Sequence, residues 1–194
     1  LTGDHFDTQM HYPFAEAVTD WLGVEPGMTS SELVERLELA FDNAPQTNLI
    51  HQNLFGSHDT DRYVSKLINP NRTFDGGNRT QDGDNYTDVR PSEDVYKKSL
   101  LGVAIQADYM GAPMVYYGDE VGMWGADDPT NRKPFPWDDE GPYERPDEAA
   151  DWELRDQYAA WLDLRHDEYI GNVLRFGDLR NIDTGDPDVF AFVR

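Results

Sequence analysis

The stretch 53–62, Asn-Leu-Phe-Gly-Ser-His-Asp-Thr-Asp-Arg, constrains this chain more than any other. Leu54 and Phe55 make a short apolar run, a Gly56-Ser57 step breaks it, and polar or charged side chains follow, with His58 and Asp59 adjacent. That is the layout of a buried parallel strand delivering functional groups at its C-terminal end, where (β/α)8 barrels keep their active sites. The plain alternative is a strand ending in an ordinary turn. A hydrolase triad is excluded, because three consecutive residues cannot line up as nucleophile, base and orienter.

The rest of the chain supplies a frame of alternating helices and strands. Pro13 suits a first helical turn, and Ala17, Val18, Trp21 and Leu22 recur at helical spacing behind it. Thr29-Ser30-Ser31-Glu32 fits a capping box, and Leu33, Leu37, Ala40 and Phe41 predict a helix over 30–43, ended by Asn43-Ala44-Pro45. The strand with the opening motif spans 52–57. Ser92, followed by Glu93 and Asp94, caps a helix whose buried stripe is expected to be Leu101, Ala104, Ile105 and Tyr109. Gly111-Ala112-Pro113 turns the chain into a buried strand at 114–117. Helix followed by strand, with no hairpin signal between them, implies parallel βα repeats. Trp152, Tyr158, Trp161, Leu162 and Arg165 outline a last helix. Residues 173–176 and 189–193 then read as strands on either side of a Gly-Asp-Pro turn.

Residues 60–91 are the least regular segment. Its run of Asp, Asn and Gly invites a calcium reading, but no Gly sits at the sixth position and no Glu closes the loop, so it reads as solvated. Asn71, Asn78 and Asn85 each begin an Asn-x-Thr sequon, which has meaning only in a secretory pathway.

Acidic residues number 38 against 16 Lys plus Arg, a formal charge of −22. Such a chain repels nucleic acid and anionic membrane, so neither is an expected partner. The charge is spread along the sequence, which suggests a solvated acidic surface of the kind a halophilic habitat favours, since salt relieves self-repulsion. With no cysteine, disulfides, thiol catalysis and Cys-based metal sites are excluded. No apolar run approaches a membrane span and no signal pattern opens the chain, so a soluble protein is expected, its compartment unknown. The sequence begins at Leu1 without an initiator Met and reads as a piece of something longer.

Residues 53–62 resemble the strand-7 motif of the α-amylase superfamily of glycoside hydrolases. Residues 3–14 resemble the strand-6 region of its neopullulanase and cyclomaltodextrinase relatives, which usually carry Asn where His11 stands. Residues 111–138 resemble the strand-8 region: Gly-x-Pro-x-x-Tyr-Tyr-Gly-x-Glu-x-Gly-Met ends at Met123, then come Asp128-Pro129-Thr130-Asn131-Arg132 and Trp137. Phe135-Pro136 fill the interval where those relatives tend to have a Met two residues before the Trp. The resemblance implies an α/β chain: strands 6–8 of a (β/α)8 TIM barrel over 1–170, then the opening of an all-β C-terminal domain over 171–194.

By the same resemblance Asp59 is the transition-state stabiliser and His58 binds the same sugar hydroxyls. Asp128 and Arg132 bind the next sugar. Glu120 invites a reading as a catalytic acid, but its place in the motif makes it structural, and His11 is either a substrate contact or a polar residue at a strand end. The nucleophile and general acid of a retaining mechanism would lie before Leu1, as would any calcium site; no cofactor is expected in this chain. The implied partner is an α-glucan: α-1,4- or α-1,6-linked maltodextrin, cyclodextrin or pullulan. Two alternatives stay open: a catalytically inactive relative used for carbohydrate binding or as a transporter accessory subunit, and an α-glucosyltransferase or trehalose-type isomerase. Alone, the chain is expected to be inactive and to expose the apolar residues of 54–55 and 114–117, and a homo-oligomer is compatible with it.

Overall fold

The computed structural model describes residues 8–23, 27–42, 50–70, 72, 86–141 and 146–194. The calcium-like run at 75–85 and the sequon residues Asn71, Asn78 and Asn85 lie outside them. Three strands, β1 (Thr8–Met10), β2 (Ile50–Asn53) and β3 (Ala112–Pro113), form one parallel sheet in that order. Thr8 pairs with Ile50 and Gln52 with Ala112. The connections carry helices α1 (Tyr12–Gly23) and α2 (Ser30–Asp42) between β1 and β2, and α3 (Tyr63–Leu67) and α4 (Glu93–Asp108) between β2 and β3. After β3 come α5 (Trp152–Asp163), α6 (Gly171–Phe176) and an antiparallel pair, β4 (Arg180–Ile182) with β5 (Ala191–Val193). The parallel βα repeat expected from the sequence is therefore present.

Local chemistry accounts for most of these elements. The capping box at α2 is formed in full: Thr29 N donates to the Glu32 carboxylate at 2.8 Å, and Glu32 N donates to Thr29 Oγ1 at 3.2 Å. Leu33 and Leu37 of α2 then bury completely against Phe14, Ala17, Val18 and Leu22 of α1. Arg36 ties the two helices on the outside, 2.7 Å from Asp20. Asp151 caps α5, its carboxylate accepting from Leu154 N at 2.9 Å.

Five local expectations are corrected. Strand β2 stops at Asn53, and Leu54 and Phe55 follow it as buried, non-strand residues. They are not exposed, because Phe55 stacks on Tyr63 of α3 at 4.1 Å and meets Phe14 at 5.6 Å. The third strand is Ala112–Pro113, not 114–117. Met114 N still donates to Asn53 O, but Val115 and Tyr117 lie open at the sheet edge, 37% and 39% exposed. Of the expected α4 stripe Ile105 and Tyr109 are buried, but Leu101 is 56% exposed and Ala104 only partly buried; the helix's buried face is Tyr96, Ser99, Gly102, Val103, Ile105, Gln106 and Ala107. That face follows the small residues that admit Tyr63 and α3, which an apolar count does not register. Ser92 occupies the N-cap position of α4, but its side chain makes no capping bond.

Residues 173–176 are the fifth case: they are helical, within α6. Asp167 Oδ1 accepts from Tyr169 N and Ile170 N and turns the chain into that helix, whose one buried apolar side chain is Leu174. A four-residue apolar run carries no period that separates helix from strand. Residues 191–193 are a strand as expected, paired with β4.

Candidate active site

The site is built where β2 ends. Leu54 and Phe55 anchor the chain in the core, and the turn that follows is braced by its own side chains. Ser57 N donates to Thr60 Oγ1 at 3.0 Å, Asp59 N donates to Ser57 Oγ at 3.1 Å, and Tyr12 OH reaches Ser57 Oγ at 3.2 Å. His58 and Asp59 project from this turn with side chains 62% and 58% exposed, inside a turn whose neighbours Ser57 and Thr60 are buried.

The four residues singled out in the sequence come together. His58 Nε2 lies 3.2 Å from Asp59 Oδ2, and Arg132 Nη2 lies 3.8 Å from Asp59 Oδ1. Arg132 Nε lies 3.7 Å from Asp128 Oδ1 and donates to the His58 carbonyl at 2.9 Å. One carboxylate thus stands between an imidazole and a guanidinium, and a second carboxylate stands beyond the guanidinium. A carboxylate accepts hydrogen bonds, and an imidazole N–H and a guanidinium donate them, so the group offers both acceptors and donors to a row of hydroxyl groups. Exposed pairs at these distances add little to stability.

Beneath the turn runs a buried network that the sequence reading missed. Arg62 is fully buried, its guanidinium lying over the rings of Tyr116 and Tyr117 at 4.4 and 4.6 Å. It donates to the Tyr117 carbonyl and, at 3.2 Å, to Asp119. Burial pushes the Asp119 carboxyl up to about 6, against the pull of Arg62. Arg62 closes the opening motif and Asp119 stands beside Glu120, so both were in view; nothing in sequence spacing says that residues 57 apart meet. Asn131 is the other omission, buried beneath His58 and bonded to its carbonyl at 3.0 Å.

His11 resolves as a core group. It is 2% exposed and packs its ring 4.5 Å from Phe41 and 4.3 Å from His51. Glu120 is partly buried, in the turn behind the network. Among the described residues no group of three or more His, Asp or Glu side chains is arranged to hold a metal ion, and no helix is long and apolar enough to cross a membrane.

No family model matches the chain. It is 38% identical over 141 residues to a cyclomaltodextrinase of Geobacillus thermopakistaniensis, covering 72% of this chain and 20% of that protein. It is 31% identical over 205 residues to an amylopullulanase of Thermoanaerobacter thermohydrosulfuricus, covering all of this chain and 12% of that protein. In three dimensions it resembles the cyclic α-maltosyl-(1→6)-maltose hydrolase of Arthrobacter globiformis in complex with maltose. The TM-score is 0.71 at 27% identity, over all of this chain and 36% of the hydrolase. The chain spans a fifth or less of the length of the two curated relatives.

Proposed function

Since the chain belongs to the α-amylase superfamily of glycoside hydrolases, in the neopullulanase and cyclomaltodextrinase group, we propose that it is the C-terminal part of a retaining α-glucan hydrolase. In this reading β1, β2 and β3 are strands 6–8 of a (β/α)8 barrel over 1–170, and β4 and β5 open a β-sandwich domain over 171–194. The substrate is an α-1,4- or α-1,6-linked maltodextrin, cyclodextrin or pullulan chain.

Retaining hydrolysis uses two carboxyl groups about 5 Å apart, one a nucleophile and one an acid/base, around an oxocarbenium-like transition state. The resemblance assigns neither of those two roles to a residue of this chain. Asp59 is the third carboxylate. It accepts hydrogen bonds from vicinal hydroxyls of the sugar being cleaved, and these strengthen as positive charge develops at the anomeric carbon. His58 donates to the same hydroxyls, and Asp128 with Arg132 binds the adjacent sugar. The observation that carries this reading is the Asp59 carboxylate, open at the end of β2 and flanked by the donors of His58 and Arg132 at 3.2 and 3.8 Å.

The test is Asp59→Asn in the complete protein, assayed on maltodextrin. Turnover should fall on the order of 10²–10³-fold, the cost of losing a transition-state electrostatic contact, with the melting temperature kept. Turnover within threefold of the parent would remove Asp59 from catalysis.

A further inference from the structure

Asn131 sits inside the loop that carries Asp128 and Arg132, and it is completely buried. Its Nδ2 donates to two carbonyls, His58 O at 3.0 Å and Thr60 O at 2.9 Å. These are the carbonyls of the residues on either side of Asp59. The His58 carbonyl also accepts from Arg132 Nε at 2.9 Å, so two neighbouring side chains of one loop converge on one acceptor of the other segment. Behind the clamp, Arg62 N donates to Gly125 O at 3.0 Å and Tyr116 OH meets Asn131 O at 3.5 Å, which ties both segments to the buried network.

The contacts on the open side of the site cannot hold this geometry alone. Asp59, His58, Arg132 and Asp128 have side chains 42–62% exposed, and the polar contacts between them span 3.2–3.8 Å. Water and salt screen such pairs, and they fix no single arrangement. The carboxamide bond to Thr60 O is buried and the one to His58 O partly buried, where hydrogen bonds are stronger and water competes less. Among the described residues the Asn131 Oδ1 has no hydrogen-bond partner, although it is buried. A buried unsatisfied acceptor costs stability. A leucine of similar size would avoid that cost, so the residue's worth lies in its two donors.

We propose that Asn131 is a positioning residue, whose carboxamide clamps the turn bearing Asp59 to the loop bearing Asp128 and Arg132 so that the two sugar-binding segments move as one unit. This rests on the assignment of Asp59 and Arg132 to the substrate. Asn131 touches no substrate; it acts through the backbone around Asp59. A displacement of about 1 Å at a reacting group is enough to cost about 100-fold in rate.

Two variants of the complete protein test it, with Asp59→Asn run beside them, on maltotriose. Asn131→Leu fills the space without donors. Asn131→Asp keeps the shape, with a side chain that donates only when protonated and repels both carbonyls when ionised. Asn131→Leu should lower kcat per folded molecule by about 10–100-fold, with the folded fraction unchanged by circular dichroism. For Asn131→Asp, kcat relative to the parent should climb as pH falls, a profile that a packing role would not produce.

If Asn131→Leu keeps kcat within threefold, or the Asn131→Asp ratio stays flat with pH, the clamp is overturned. Should Asn131→Leu fail to fold, the pH ratio of Asn131→Asp decides alone. If Asp59→Asn keeps parental turnover, the assignment of Asp59 falls with it. If Asp59→Asn is inactive and Asn131→Leu is not, only the clamp falls.

Discussion

Arg62 and Asp119 meet 3.2 Å apart in the interior, one 0% and the other 6% exposed at the side chain, directly beneath the turn that presents His58 and Asp59. Removing one member of a buried pair leaves the other uncompensated, at a cost of about 3–5 kcal/mol. Arg62→Leu should lower unfolding stability by about that amount in a denaturant titration. A loss below about 1 kcal/mol would show that the pair does not hold the turn. The pair also sets a pH response. Burial raises the Asp119 carboxyl from 3.8 to about 6, so the folded protein binds that proton more tightly than the unfolded chain. Its contribution is complete below pH 3.8 and is lost as pH rises to about 6. Asp119→Asn should remove this decline.

The His11 and His51 rings, 4.3 Å apart between β1, β2 and α2, respond in the opposite sense. Burial lowers both, His51 to about 4 with His11 as a second cause. The folded protein therefore holds these protons less tightly than the unfolded chain. Their contribution is present above pH 6.5 and is lost as pH falls to about 4. His51→Phe, beside the ring of Phe41, should keep more of its melting temperature across that window than the parent does. Parallel curves in a melting series would place the acid sensitivity elsewhere.

Arg132 reaches both Asp59 and Asp128. If Arg132 binds the sugar next to the cleaved one, as proposed, Arg132→Ala should weaken binding of oligosaccharides that extend beyond the cleaved sugar and leave a short chromogenic glucoside little affected. Equal losses in kcat/KM on both would make the loop purely structural.

Gly102 packs α4 against α3 so closely that a Cβ there would stand 2.0 Å from the Tyr63 hydroxyl and 3.2 Å from Leu22 Cδ1. Tyr63 cannot yield freely, since its ring is stacked on Phe55 and its hydroxyl donates to Ser99 O at 3.4 Å. Gly102→Ala should destabilise by about 1–3 kcal/mol, the usual cost of overpacking. Alanine is the better helix former, so a stabilised variant would show that Tyr63 repacks at no cost.

What could be read from the residues follows from how far each signal reaches along the chain. The α2 capping box is complete within four residues, and the parallel arrangement follows from helix–strand alternation, so both were legible. The four side chains that meet in the candidate site could be picked out because the strand end and the Asp128–Arg132 loop each carry a motif of contiguous residues. Arg62 with Asp119, and Asn131 with His58 and Thr60, depend on segments 57 to 73 residues apart, and no local pattern announces such pairs. Strand β3 and helix α6 were misread for another reason: in short apolar runs the packing partner, not the run itself, decides the conformation.

The β4–β5 turn does more than lead out of the last helix. Ser30, the first residue of α2, donates its N–H to Pro187 O at 2.7 Å and its hydroxyl to Asp186 O at 2.8 Å, while Phe190 and Phe192 pack on Trp21 and Tyr109. A hairpin seated this way cannot lift off without taking both acceptors from Ser30 at the start of α2 and stripping aromatic cover from the core. Its opening free energy is thereby tied to that of the helical layer. The amide of Ser30 and those of residues 191–193 should therefore exchange with solvent deuterium together, as one cooperative unit.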